Sequence, residues 1–376
     1  FHIFIFIIFL LKLNMRDILI TPFKQLFFNN SVSLDVVFFS LLFILLPIAL
    51  ITGPALPDIF LSLIGLYFLV KSVWKKKWHY YKNPIFYGFI LFSAYGIIRS
   101  LFSDIPFESL TIEGSVFFFR YIFFALGVWY LLDNNPYISK CFIVISITCI
   151  IIVCFDGLFQ YFVGINLFGN VQKESSRLTG LFGQEPIIGR YIALLSLFTF
   201  ALIYQNFIKT KKMVLLLITF LVMCEVIIFL TGERAPLFYV TFFAILIVIF
   251  VPRYKFYRVI GSIISVIIIF GILQINPSAK VRMVDQTIKQ VSQTTIPYLP
   301  YSPHHEEHYV ASLKMFIDKP IFGVGTNTFR IKCKDPKYIY GLESCSSHPH
   351  HYYLQSLAEL GIIGFMFLSS FFLYLL

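Results

Sequence analysis

Apolar runs of roughly membrane-spanning length recur along almost the whole chain of 376 residues. A transmembrane helix needs ~20 mostly apolar residues. Hydrophobic residues make up 58% of the sequence and charged residues only 13%, so a core surrounded by water cannot bury this much apolar surface. We therefore predict an all-α, polytopic transmembrane helix bundle. About ten spans are expected, and they lie at 34–51, 58–71, 84–101, 115–132, 138–160, 188–207, 213–230, 235–251, 257–275 and 361–376.

The spacing of these runs predicts three regions. Residues 1–275 form an N-terminal transmembrane bundle, residues 276–360 form a polar loop with short helices, and residues 361–376 begin a C-terminal transmembrane region. The run at 58–71 is short, and a tilted or re-entrant segment is an alternative there. Because the chain closes inside an apolar run, we expect further spans beyond it.

The net charge of +11 could suit nucleic acid, but the basic residues cluster in short loops between apolar runs. This asymmetry is typical of membrane proteins, whose cytoplasmic loops are rich in lysine and arginine. It predicts a cytoplasmic N-terminus, an outer location for the long loop 276–360, and no nucleic-acid partner. The predicted inner loops carry Lys75, Lys76, Lys77, Lys82, Lys209, Lys211, Lys212, Arg253 and Lys255, and the short outer loops carry only Lys173, Arg177 and Arg234.

Two helices are predicted in the outer loop. Ser302 and Pro303 begin the first, with Glu306 and Glu307 near its positive end, and Lys319-Pro320 ends it. Its apolar face is expected to carry Tyr309, Leu313, Phe316 and Ile317. The second helix is expected to begin near Pro349 and to continue into the last span.

The first of these helices begins with a histidine-rich stretch. His304 to His308 reads His-x-x-Glu-His, the pattern of inverted zinc proteases. Zinc also needs a third ligand, and no motif supplies one. A solvated helix start and a role for His308 on the side of an acceptor substrate are the alternatives.

Two further patterns indicate chemistry at the outer face. The run His348-Pro349-His350-His351 precedes an apolar helix that contains Gly361 and Gly364. A neutral imidazole at such a junction can accept a proton or bond a phosphate, although interfacial histidines need not be catalytic. Upstream, Pro320 to Gly325 reads Pro-x-x-Gly-x-Gly, where Gly323 and Gly325 permit tight turns and close backbone approach.

Arginines at the outer face form a third pattern. Arg177 begins Arg-Leu-Thr-Gly-Leu-Phe-Gly, and Arg234 ends Thr-Gly-Glu-Arg. An arginine at membrane depth usually faces protein or a polar cavity, and its planar fork suits phosphate oxygens. A purely structural role is the alternative. Arg190 and Arg330 are further candidates, and Arg120, inside a predicted span, is expected to pair with Asp156 or Glu225.

Together these motifs resemble the O-antigen ligase and O-antigen polymerase family over residues 170–376. The family signature is a histidine, an amide or serine, nine residues and Gly-x-x-Gly. Here nine residues separate His351 from Gly361, and His351 stands where the family usually has asparagine. Either His350 or His351 can therefore be the working histidine.

The resemblance implies a glycosyltransferase of the bacterial inner membrane with its active site on the periplasmic face. Its donor would be an undecaprenyl-diphosphate-linked oligosaccharide, and its acceptor the lipid A core in a ligase or a growing glycan in a polymerase. Arg177 and Arg234 would hold the diphosphate and His350 would act on the acceptor, with Glu233 as an alternative base. No cofactor and no metal are expected.

A transporter stays open as an alternative to an enzyme. A flippase for the same lipid-linked glycans would also be polytopic, but such transporters usually show paired broken helices in two related halves, which this sequence lacks. No phosphate-binding loop or dinucleotide fingerprint is present either.

In the outer loop, Cys333 and Cys345 can form a disulfide in an oxidising compartment or remain free thiols.

Overall fold

The computed structural model describes residues 20–28, 32–111, 115–172, 177–207, 211–251, 254–294 and 302–375. Three cations of the loop analysis, Lys173, Lys209 and Arg253, lie outside these ranges. The described residues contain helices and no β-strand beyond a single bridge. The α-helices are α1 Thr21–Phe28, α2 Leu34–Ile44, α3 Leu46–Thr52, α4 Ala55–Trp74, α5 Pro84–Leu101, α6 Pro106–Ser109, α7 Arg120–Asn134, α8 Ile138–Val163, α9 Ile188–Phe207, α10 Lys211–Leu230, α11 Arg234–Phe250, α12 Lys255–Ile275, α13 Pro277–Lys280, α14 Gln286–Ser292, α15 Pro303–Asp318, α16 Phe329–Lys332 and α17 Tyr352–Leu375.

The predicted polytopic helical fold is confirmed. Seven helices within the described ranges are long and apolar enough to cross a membrane, namely α4, α5, α8, α9, α10, α12 and α17. An eighth span results if α2 and α3, which meet at a bend of 48°, are counted as one. The bend coincides with Pro47 in the first turn of α3, since proline lacks the N–H that would continue the α2 ladder. The two other predicted spans are the shorter helices α7 (15 residues) and α11 (17 residues).

The chain divides into two compact units. The first contains the described residues within 1–60 and 128–287, and the second those within 61–127 and 288–376. In the first unit, α9 packs between α8 and α10. Cys141, Cys149, Cys154 and Cys224 are buried there as free thiols, in keeping with cysteine acting as a small apolar residue.

Polar side chains also join helices of the first unit. The Glu225 carboxylate of α10 accepts hydrogen bonds from Thr241 of α11 (2.9 Å) and Ser265 of α12 (2.6 Å). Asp156 accepts the backbone N–H of Leu167 (2.8 Å). The pairing of one of these acids with Arg120 stays a prediction. Arg120 is the first residue of α7.

The helix starting at Pro303 was predicted correctly at both ends. Ser302 is the N-cap of α15, and its hydroxyl accepts from the backbone of His305. Two members of its predicted apolar face, Leu313 and Ile317, are exposed. The buried face carries smaller and polar side chains, which let α15 approach α17 closely: Glu306, His308, Ala311, Ser312 and Met315.

Candidate functional site: a histidine cluster and an arginine cluster

The Pro-x-x-Gly-x-Gly stretch docks onto α17 within the second unit. Val324 N donates to Ala358 O, and Gly325 N donates to Glu359 O, both at 2.9 Å. From the helix side, Ile362 N donates to Pro320 O at 2.8 Å. The two motifs that were recognised separately in the sequence therefore form one backbone-paired structure.

Gly361 makes this docking possible because it breaks α17. Its backbone lies at φ 66° and ψ −166°, a region open essentially to glycine. A β-carbon there would overlap the Ile321 carbonyl and lie 2.6 Å from Phe322 N. Gly361 therefore serves both the kink and the close backbone approach.

Two side chains from α5 satisfy carbonyls around the kink. The Tyr95 hydroxyl donates to Leu360 O at 2.7 Å. The buried Arg99 fork donates to Phe322 O (2.8 Å) and to Gly323 O (2.6 Å). An unsatisfied buried carbonyl would be costly, so Tyr95 and Arg99 stabilise the docked arrangement. Neither residue was a sequence candidate.

His350 lies in a cluster of imidazoles at the start of α17. Its ring centroid is 4.2 Å from that of His348, 5.4 Å from His305 and 5.5 Å from His308. Its backbone has a positive φ of 57°, which is uncommon for a non-glycine residue and often marks a functional position.

His351 has a different environment. Its ring contacts Tyr309 at 5.3 Å, and its Nδ1 accepts the backbone N–H of Leu354 at 3.3 Å. His351 thus acts as a cap for the first turn of α17. The contacts favour His350 over His351 as the histidine available to a substrate.

Burial favours the neutral form of two neighbouring imidazoles, those of His305 and His308. It lowers the pKa of His305, and the charges of His308 and His304 lower it further. The pKa of His308 is also lowered, first by burial and then by His350. Neutral imidazoles retain a lone pair, so the cluster can accept a proton or a hydrogen bond.

The His-x-x-Glu-His pattern does not assemble a metal site. Glu307 accepts the backbone N–H of Glu343 at 2.6 Å, while His304 is exposed and His308 is buried. Within the described part of the chain, no three His, Cys, Asp or Glu side chains are placed to hold a metal ion.

A small buried core joins the segments that carry the histidine cluster. Cys333 and Cys345 form a disulfide, and Cys345 packs against the buried cluster that contains Cys333. The bridge ties the segment before His348 to α16. The other members of this core are Ala311, Met315, Val324, Phe329, Tyr338 and Ala358.

The first unit carries a separate arginine cluster around Glu233. The buried Glu233 carboxylate accepts the backbone N–H groups of Gly189 (2.5 Å) and Arg190 (3.2 Å) at the start of α9. A β-carbon on Gly189 would lie 2.9 Å from Glu233 Oε1, so this glycine admits the carboxylate. Burial raises the pKa of Glu233, and the two N–H groups and the charges of Arg177 and Arg190 oppose the shift.

Arg234 follows Glu233 and donates to Arg282 O at 2.8 Å. The Arg282 Nε in turn donates to Gly232 O at 3.4 Å. Arg234 experiences repulsion from the like charges of both Arg282 and Arg177. Arg282, which lies in the π-helical turn Val281–Asp285, was missed in the sequence because its approach depends on contacts across some fifty positions.

These contacts indicate different roles for the remaining candidate residues. Arg177, Arg190, Arg234 and Arg282 concentrate positive charge in the first unit, which suits an anion. Glu233 is occupied by backbone donors, which favours a structural role over that of a base. Arg330 lies in α16 of the second unit, where it interacts electrostatically with Glu359.

The fold defines a polytopic, all-helical membrane protein with an arginine-rich and a histidine-rich cluster. The family model described as O-antigen ligase matches residues 215–369, and this match supports an assignment to the O-antigen ligase/polymerase family. The match includes Arg234, Arg282, the Pro320–Gly325 stretch and His350, and it begins after Arg177 and Arg190. Neither a curated protein nor a solved structure matches the chain significantly. The family assignment supports glycosyltransferase-like activity of the O-antigen ligase type.

Proposed function

We propose that the protein transfers a glycan from an undecaprenyl diphosphate carrier to a glycan acceptor, the lipid A core, at the periplasmic face of the inner membrane. The observation that carries this proposal is the docking of Pro320–Gly325 onto the kink at Gly361. Both motifs lie within the family match. Their pairing holds the start of α17, where His350 lies among the imidazoles of His305, His308 and His348.

The arginine cluster is the proposed binding site for the diphosphate. Arg177 and Arg234 would neutralise its charge, with Arg190 and Arg282 adding to the local field. Fixed guanidinium groups favour the transition state because negative charge develops on the departing diphosphate. Arg330 is the weaker candidate, since its charge interacts with Glu359.

The histidine cluster is the proposed acceptor site. The acceptor hydroxyl oxygen attacks the anomeric carbon, the bond from that carbon to the diphosphate oxygen breaks, and the diphosphate leaves with the electron pair. His350 takes the hydroxyl proton. Attack opposite the leaving group inverts the anomeric carbon. A diphosphate is already a good leaving group, so this route requires neither a metal nor a nucleotide.

The proposed orientation follows from the distribution of cations. Basic residues concentrate in the loops that a cytoplasmic N-terminus would put inside, which supports that orientation. In this arrangement residues 276–360 form the periplasmic segment. The disulfide between Cys333 and Cys345 supports this assignment, because structural disulfides persist in oxidising compartments.

A polymerase that joins repeat units would use the same chemistry, and the family includes both activities. The lipopolysaccharide gel pattern after deletion of the gene in its host separates them. Complete loss of O-antigen from lipid A, with accumulation of undecaprenyl-linked polymer, supports the ligase. A single repeat unit attached to lipid A identifies the polymerase, and an unchanged pattern contradicts both.

A further inference from the structure

A pocket lined by polar and aromatic side chains lies at the start of α17, next to the histidine run, in the second unit. Four residues that line it, Tyr352, Gln355, Ser356 and Glu359, follow one another at the spacing of a single helix face. Thr326 and Asn327 line it from the end of the docked glycine stretch. We propose that this pocket binds one neutral sugar ring of a glycan substrate, an inference that rests on the proposed glycosyl-transfer function.

An unsatisfied buried hydroxyl indicates that the pocket is built for a polar ligand. Ser356 is 6% exposed, and its Oγ has no hydrogen-bond partner among the described residues. A buried hydroxyl without a partner costs stability, and a ligand hydroxyl in the pocket would supply the missing bond. Ser93, Ser115 and Gln355 add further neutral donors and acceptors to the lining.

The only acidic group of the described lining is already occupied. Glu359 accepts the backbone N–H of Phe329 at 3.0 Å and the Gln355 amide at 3.2 Å. No lysine or arginine lines the pocket among the residues that the structure describes. The diphosphate therefore has no counter-charge here, and the lining suits uncharged hydroxyl groups.

The walls and the size of the pocket also fit a sugar. Phe92, Phe118 and Tyr352 present aromatic surface, which can pack against the C–H face of a pyranose ring. The cavity volume is about 180 Å³. That space holds ~6 water molecules at liquid density, which is room for one ring and not for an oligosaccharide.

Protection of a cysteine introduced by Ser356→Cys tests the proposal. The purified, full-length variant is treated with a small methanethiosulfonate reagent, alone and with saturating undecaprenyl-diphosphate-linked oligosaccharide or lipid A core oligosaccharide. We expect one of the two glycans to slow the labelling about tenfold or more, because a bound sugar would cover the thiol. Protection by the donor assigns the pocket to the transferred glycan, and protection by the core assigns it to the acceptor.

Two controls make the result specific. Ser369 lies on the same helix but outside this pocket and outside the neighbouring apolar groove, which Phe367 and Phe371 line. The labelling of Ser369→Cys should therefore not respond to either glycan. The unsubstituted protein gives the background from its native cysteines. An introduced thiol at position 356 that the reagent never reaches, or that reacts equally with and without both glycans, overturns the proposal.

A second variant separates binding from catalysis. Ser356→Leu fills the pocket, and we expect KM for the protecting glycan to rise about 10- to 100-fold with little change in kcat. An unchanged KM contradicts the proposal. If the unsubstituted protein transfers glycan but neither glycan protects the thiol in Ser356→Cys, only the proposed sugar site is wrong. If the thiol is protected but no transfer occurs, only the proposed function is wrong.

Discussion

Gly323 lies so close to Glu359 that a β-carbon on the glycine would stand 2.5 Å from the glutamate's backbone carbonyl oxygen. Real β-carbons do not approach an oxygen at this distance, so the contact requires glycine. Together with the break at Gly361, this approach brings the glycine-rich stretch and the start of α17 into register. The two motifs therefore act as one structural unit that supports His350.

Substitution of Gly361 should disrupt this unit. Gly361→Ala forces a side chain into a backbone region that costs ~1–3 kcal/mol for a non-glycine residue, before the overlap with Ile321 is added. We expect a lower melting temperature in detergent and loss of transfer activity. The matched control is Gly88→Ala on α5, where a β-carbon meets nothing within 4 Å and helix propensity should improve. Equal melting temperatures for both variants would contradict this account of the kink.

The two candidate histidines should separate by substitution. His350→Ala should lower the transfer rate about 10²- to 10⁴-fold, the usual range for loss of a general base. His351→Asn keeps an acceptor for the N–H of Leu354 and should retain most activity. Initial rates of glycan transfer decide the point. Full activity in His350→Ala, or an equal loss in both variants, would show that the assignment is wrong.

Loss of the guanidinium fork should be most damaging in the arginine cluster. Arg177→Lys and Arg234→Lys keep the charge but lose bidentate geometry, and we expect kcat to fall about 10²- to 10³-fold. Arg258→Lys is the control, because Arg258 is also buried and donates to a backbone carbonyl, that of Val251. A similar loss at Arg258 would attribute all three effects to folding instead of diphosphate binding.

Acidification should destabilise the protein through the histidine cluster. The pKa values of His305 and His308 lie below their ordinary 6.5 in the folded chain. The unfolded chain therefore binds more protons as the pH falls below 6.5, and each extra proton costs ~1.4 kcal/mol per pH unit. The stability is complete above pH 6.5 and is lost as the pH falls toward the folded-state values.

Thermal unfolding between pH 7.5 and 5.5 measures this effect. His308→Gln should flatten the dependence, because the amide does not titrate in this range. The groups around His308 that contribute are His350, His304, Glu307 and the backbone carbonyl of Glu343. His79→Gln, at an exposed position on the turn Trp78–Tyr81, should leave the dependence unchanged. An unaltered slope in His308→Gln would argue against a titrating cluster.

Local signals were sufficient for the helices and for individual motifs, but not for their contacts. The start of α15 was predictable because Ser302 and Pro303 act within one helical turn. Its buried face was not predictable, because the period of apolar residues does not distinguish a side chain in the core from an exposed one. Leu313 and Ile317, which follow that period, are exposed. The position of Arg282 beside Gly232 and the docking at Gly361 depend on tertiary contacts with no sequence period.

Glycan transfer by the purified protein in sealed proteoliposomes tests the central claim most directly. The reaction contains undecaprenyl-diphosphate-linked oligosaccharide and lipid A core, and mass spectrometry follows both products. We predict a covalent product whose mass equals that of the core plus that of the lipid-linked donor, less that of undecaprenyl diphosphate. One undecaprenyl diphosphate is released per transfer. Intact donor, or movement of the donor across the membrane without a new glycosidic bond, would contradict the assignment as a glycosyltransferase.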